Sequence, residues 1–203
     1  RINLSFSSNV KSELLHCFVK DTHCIAAEVS AIINLCGQIT EKENKICIKI
    51  QTENTSVARK CFTLLEKTFN IKNDIVVRRN AGKDNYSYYI YAKGEELMAI
   101  RDTIVQAVCC KRAYIRGAFI ASGSMSDPSK SYHFEIVCRD EEQANRLCRQ
   151  ICYFEISAKI IQRKTRYIVY VKDSNGIVEL LKVMGAGKAS MDLENVRIIK
   201  DMR

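Results

Sequence analysis

A chain of 203 residues, 47% apolar and 27% charged, is long enough to bury a core as one large domain or two small ones, and its composition excludes disorder and collagen-like structure. No apolar run approaches the roughly 18 residues that a membrane helix needs, and Arg1 to Phe18 is polar throughout with no signal cleavage site. The net charge of +9 favours an anionic partner such as nucleic acid, although many proteins that bind none carry a similar excess.

In chain order, a first helix is predicted over Ser8 to Phe18, capped by Ser7 or Ser8, with Val10, Leu14 and Phe18 on one face. A second, about Cys24 to Cys36, is apolar nearly all round and should be central; it stops at Gly37. An alternating strand follows, with Ile46, Ile48 and Ile50 on one face and Lys45, Cys47 and Lys49 on the other. Ser56 to Phe69 reads as an amphipathic helix. Asp74 to Arg79 and Tyr86 to Ala92 read as strands around Asn80 to Lys83, and Gly94 to Val108 as a helix.

The same order then returns. Tyr114 to Ser122 is an apolar helix ended by Gly123, His133 to Cys138 a strand and Glu141 to Tyr153 an amphipathic helix. Ala158 to Arg163 and Arg166 to Lys172 are strands, and Ile177 to Met184 is a last core helix. Superposing Gly37 on Gly123 gives an offset of 86 residues (123 minus 37). The expectation is an α+β fold of two similar halves, 1–105 and 106–200.

The ten cysteines sit mostly singly in apolar runs and read as small buried hydrophobes of a reducing cytosol, so a cytoplasmic protein is expected. There is no C-x-x-C pair; Cys109 and Cys110 are adjacent, and His16-Cys17 and His23-Cys24 form only a loose cluster, so no metal site and no cofactor are expected. Gly185 to Ser190 lacks the residues of a phosphate-binding loop and reads as a turn or helix junction. His133 reads as a hydrogen-bonding residue at a strand start, and no nucleophile-base pair stands out.

The two central helices end in Val29-Ser-Ala-Ile-Ile-Asn-Leu-Cys-Gly37 and Ile115-Arg-Gly-Ala-Phe-Ile-Ala-Ser-Gly123. Both resemble the LAGLIDADG helix of homing endonucleases. That resemblance implies two helices packed closely through Ala31 and Gly117, closing glycines at 37 and 123, and saddle-shaped sheets. The metal-binding acid that precedes the closing glycine in the enzymes falls at Cys36 and Ser122, and the other acid of the motif at Asn34 and Ile120. A thiol and a hydroxyl are poor ligands for a hard cation, so the resemblance implies a scaffold without its catalytic acids and not an enzyme.

Ser5 to Leu14, Arg116 to Glu135 and Met184 to Arg197 together are similar to the WhiA family of Gram-positive bacteria. The resemblance implies a transcription regulator tied to sporulation and cell division, with a LAGLIDADG-like amino-terminal region and a carboxyl-terminal helix-turn-helix domain expected beyond Arg203.

Between Glu155 and Asp173 stand Lys159, Arg163, Lys164, Arg166 and Lys172 with no acid among them, interleaved with Tyr167 and Tyr170. Lys45, Lys49, Arg78, Arg79 and Lys83 form a smaller set in the first half. Both sets suit duplex phosphates; a solvated sheet face is the alternative. Residues 106–203 hold 17 Lys+Arg against 11 Asp+Glu, whereas 1–105 hold 15 against 12, so the second half is the stronger candidate. Glu135, with His133 and Val137, is expected on a face that is not basic. A second hypothesis makes the chain a protein-interaction module, with DNA contact left to another domain.

Overall fold

The computed structural model describes residues 5–42, 45–82 and 85–202. The elements, in order, are α1 (Phe6–Leu15), α2 (Thr22–Cys36), β1 (Gly37–Lys42), β2 (Lys45–Thr52), α3 (Thr55–Phe69), β3 (Asn73–Arg79), β4 (Tyr86–Lys93) and α4 (Glu96–Arg101). They continue with α5 (Val108–Ser122), β5 (Gly123–Met125), β6 (Phe134–Cys138), α6 (Glu141–Cys152), β7 (Lys159–Arg163), β8 (Arg166–Val171), α7 (Ser174–Met184) and α8 (Gly187–Asp201). Two compact units result, Val19–Gly117 and Arg1–Phe18 with Ala118–Arg203, dividing inside α5.

In the unit Val19–Gly117, four antiparallel strands run in the order β1-β2-β4-β3. Strand alternation sends Ile48, Ile50, Ile90 and Ala92 into the core, where each is at most 2% exposed. Burying an isoleucine side chain contributes about 1.5–3 kcal/mol, so this face holds the sheet against α2 and α3. Asn54 caps α3 by accepting from Ser56 and Val57 backbone N–H groups at 2.9 and 3.2 Å. Val57, Cys61, Leu64 and Leu65 form its buried stripe.

The unit containing Ala118–Arg203 repeats the topology as β5-β6-β8-β7. Phe134, Ile136, Val169 and Val171 line its core, and Phe134 stacks on Phe119 at 5.0 Å. Asp140 caps α6 through Gln143 N–H at 2.8 Å, and Asp173 caps α7 through Gly176 N–H at 2.7 Å. Gly185 closes α7 at φ 97°, a left-handed position that favours glycine, and α8 begins two residues later.

Several boundaries differ from the sequence expectation. Ser5, not Ser7 or Ser8, caps α1, which ends at Leu15; Phe18 lies beyond the helix and is 70% exposed, so it is absent from the Val10/Leu14 face. The helix expected over Gly94 to Val108 is only α4, which buries Leu97 and Ile100, while Ile104 is exposed and Val108 already belongs to α5. β1 and β5 start directly at the glycines that end α2 and α5, because the chain there turns extended: Gly37 has φ −85° and ψ 146°. α8 was read only as a junction. It lacks an apolar stripe, burying Ala189, Ser190 and Leu193, and its first turn is capped from a distance by Glu13 of α1, whose carboxylate accepts from Lys188 and Ala189 N–H at 2.8 and 3.0 Å.

Candidate nucleic-acid interface

Residues paired across an antiparallel ladder project on the same side, so register decides which charges meet. On the second sheet, Lys159, Tyr170, Glu135 and Ser124 are successive partners, as are Ile161, Ile168 and Val137, and Arg163 faces Arg166. The row pattern places Lys159, Arg163, Arg166 and Lys172 on the face away from Ile136 and Val169; Lys172 Nζ sits 5.5 Å from the Tyr170 ring centre. Lys164 occupies the tight β7–β8 turn at φ 56°. Tyr167 pairs with Cys138, whose row is buried, so of the two expected tyrosines Tyr170 alone shares the basic face.

Glu135 requires a correction. Its strand face is the basic one: Glu135 Oε2 accepts from His133 Nε2 at 2.8 Å and from Arg163 Nη2 at 3.4 Å, and the His133 ring stacks on Tyr170 at 6.1 Å. The acid is thus a clamp within the cationic face. Periodicity in β6 alone missed this, because the lysines and arginines come from β7 and β8.

On the first sheet, Lys49 faces Tyr91 and Gln38, Arg78 faces Ser87, and Lys93 faces Cys47. Lys49 Nζ and the Arg78 guanidinium lie 4.8 and 5.2 Å from the Tyr89 ring centre, a diagonal arrangement that fixes both cations over one aromatic face. Arg79 alternates to the side of Ile75 and Val77, so the structure separates it from Arg78. Lys45 opens β2 opposite Lys42, and Lys83 lies outside the described residues. Lys93 and Tyr89 were missed by sequence reading; the tyrosine-rich alternation of Tyr86 to Lys93 was the available signal.

The helix-packing residues behave as spacers. A Cβ on Gly117 would fall 2.3 Å from Glu28 O and 3.1 Å from Ala31 Cβ, so glycine there lets α5 approach α2. Gly37 and Gly123 are required by space and not by a left-handed backbone: added Cβ atoms would meet Ile33 O at 2.5 Å and the Phe119 ring at 2.2 Å. At the two helix ends, Cys36 Sγ donates to Ile32 O at 3.1 Å and Ser122 Oγ donates to Val137 O at 2.8 Å. Both side chains are neutral groups committed to backbone carbonyls, a donor set that does not suit a hard divalent cation.

Glu28, 1% exposed, is held between Lys60 Nζ at 2.6 Å and Arg116 Nη2 at 3.3 Å. A buried carboxylate so placed is a structural ion-pair centre. At the other end of α2, His23 and Cys24 converge with Cys109 and Cys110, although the sequence reading kept the two pairs apart. The signal was present in the repeat: adding 86 to 23 and 24 gives 109 and 110. Burial, reinforced by Cys109, pushes the Cys24 thiol up to about 12.

Comparison with known proteins places this geometry. Residues 22–103 match the model of the WhiA N-terminal LAGLIDADG-like domain and residues 111–203 that of the WhiA LAGLIDADG-like domain. The chain is 44% identical over 222 residues to the probable cell division protein WhiA of Lachnoclostridium phytofermentans, covering 98% of this chain and 71% of that one. It is 35% identical over 218 residues to the Bacillus subtilis protein of the same name, covering 98% and 69%. Among solved structures it is similar to full-length DUF199/WhiA from Thermatoga maritima, with TM-score 0.85 and 20% identity over 97% of this chain and 67% of that one. It is also similar to the homing endonuclease I-DmoI in complex with DNA and Mn, with TM-score 0.61 and 12% identity over 81% and 98%.

Proposed function

This chain belongs to the WhiA family, and from that premise we propose that it is a non-cleaving, LAGLIDADG-like DNA-contacting module of a regulator of sporulation and cell division. The observation that carries the reading is the register of β7 and β8, which gathers Lys159, Arg163, Arg166 and Lys172 on one sheet face. Such a row suits the phosphate backbone, and Lys49 and Arg78 around Tyr89 supply a smaller footprint on the first sheet. The printed description of I-DmoI, a protein of the same fold, in complex with DNA supports this choice of partner.

Phosphodiester cleavage is not part of the proposal. The cutting relatives hold divalent cations on acids at their helix ends; here Cys36 and Ser122 stand at the matching positions and each donates its hydrogen to a backbone carbonyl. No step through a metal is therefore assigned. Contacts confined to phosphate would position the protein on duplex without reading bases, leaving sequence choice to another part of the regulator.

Titration of the chain into duplex DNA at rising salt tests the reading. Affinity falls with salt, and each phosphate contact removed lowers the logarithmic slope by about 0.9. Lys159→Glu with Arg166→Glu weakens binding uniformly across sequences; absence of binding at low salt overturns the proposal. The exposed Ile161 beside Val137, and Glu135 among the cations, favour a second reading in which this face meets a protein. A partner retained after nuclease treatment and lost in Lys164→Glu with Arg166→Glu would establish it.

A further inference from the structure

We propose that His23 Nδ1 and the sulfurs of Cys24, Cys109 and Cys110 form a Cys3His site that takes one zinc ion. The four ligand atoms all lie within 4.8 Å of one another, and His23 Nδ1 is 3.1 Å from Cys110 Sγ and 3.4 Å from Cys24 Sγ. Tetrahedral zinc, with bonds of about 2.3 Å to sulfur and 2.0–2.1 Å to nitrogen, requires ligand atoms roughly 3.5–3.8 Å apart. Small side-chain adjustments bring the observed set to that spacing.

The placement follows from the repeat. His23 and Cys24 lie in the first turn of α2, Cys109 and Cys110 in the first turn of α5. The two helices meet at an offset of 86: Cys24 with Cys110, Ala27 with Cys110 plus three, which is Ala113, and Ala31 with Gly117. The small residues Ala27 and Ala113 allow the close approach, and Val19 and Val105 pack against them. Cys24 and Cys110 therefore stand in an apolar wall, while His23 and Cys109 are exposed and leave a path for the ion. The positive ends of both helix dipoles favour thiolate ligands over thiols.

Three sulfurs and one imidazole are soft and borderline donors, suited to zinc and unsuited to magnesium or calcium, which require oxygen. With all four positions filled by protein the site is of the closed, structural kind. On binding, the three thiols release their protons and the ion ties the first turns of α2 and α5 together. The alternative, a disulfide from Cys24 to either neighbour, uses two sulfurs and leaves the imidazole idle. The inference is independent of DNA contact.

Cobalt titration of the full chain, stripped of metal and kept reduced, provides the test. The expected result is one cobalt per chain, with thiolate-to-cobalt charge-transfer absorption, the intense visible bands of tetrahedral cobalt, and displacement by zinc. Cys109→Ser and His23→Ala, both at exposed positions, each weaken binding by about a hundredfold or more, since even outer-shell losses reach 10–100-fold. Cys24→Ser does the same, and Cys148→Ser with Cys152→Ser leaves the titration unchanged. Weak octahedral bands, no stoichiometric uptake, or tetrahedral bands that survive both Cys109→Ser and Cys24→Ser would overturn the proposal.

Discussion

The two sheets share one strand order, yet the units around them are stabilised differently. In the unit Val19–Gly117 a charge sits in the core: Glu28 lies between Lys60 and Arg116. The residue 86 positions on from Glu28 is Tyr114, also buried, so the repeat kept the position interior and changed its chemistry. β1 runs six residues and turns tightly into β2; β5 runs three and is joined to β6 by a longer loop that Lys200 holds through Pro128 O at 2.7 Å and the Tyr132 ring. The open face of the second sheet gathers four cations around one clamped acid, whereas the first carries Lys49, Arg78 and Lys93 with Asp74. A duplicated topology thus fixes strand pairing while leaving each half free to place its charges, because pairing depends on backbone bonds and charge placement on side chains.

That comparison can be broken most severely at Glu28. Glu28→Ala leaves two buried cations without their acid and is expected to destabilise by about 3–5 kcal/mol; replacing Glu28, Lys60 and Arg116 together by leucine and methionine should recover most of the loss in chemical denaturation. If the single change proves harmless, the ion-pair centre does not support the unit. Next in size is Gly117→Ala, expected to lose about 1–3 kcal/mol because the new methyl meets a backbone oxygen that cannot move without shifting α2.

Glu13→Ala probes the other unit. Removal of the carboxylate that caps α8 should lower stability by about 1 kcal/mol, and amide exchange should rise first at Lys188 and Ala189. The smallest expected effect has the opposite sign: Gly187 has open space around it, so Gly187→Ala should stabilise by about 0.4–1 kcal/mol through the unfolded chain. For the two faces themselves, reversing Arg163 and Arg166 should reduce the salt dependence of DNA binding more than reversing Lys49 and Arg78, by about one further unit of slope for each extra phosphate contact.

Most elements were legible from periodicity and capping residues, because an amphipathic stripe such as Val57, Cys61, Leu64 and Leu65 is a local property. β1, β5 and α8 were not. The two strands are defined by their partners across the sheet, and α8 takes its cap from Glu13, 175 residues away. Of the candidate interface, the identities of the cations were legible and their grouping was not: Arg79 falls on the opposite face to Arg78, and Glu135 turns out to belong among the cations.

The amino-acid sequence alone determined the repeat at 86 residues, the glycines that close the central helices, and the neutral residues beside them, since each is a matter of spacing and residue type. Tertiary structure alone decided which side chains meet. It set Gly117 against Glu28 O, put Lys60 and Arg116 on one buried acid, and brought His23 and Cys24 to Cys109 and Cys110. Periodicity specifies which side of an element is buried, but distances between residues far apart in the chain follow only from how those elements pack.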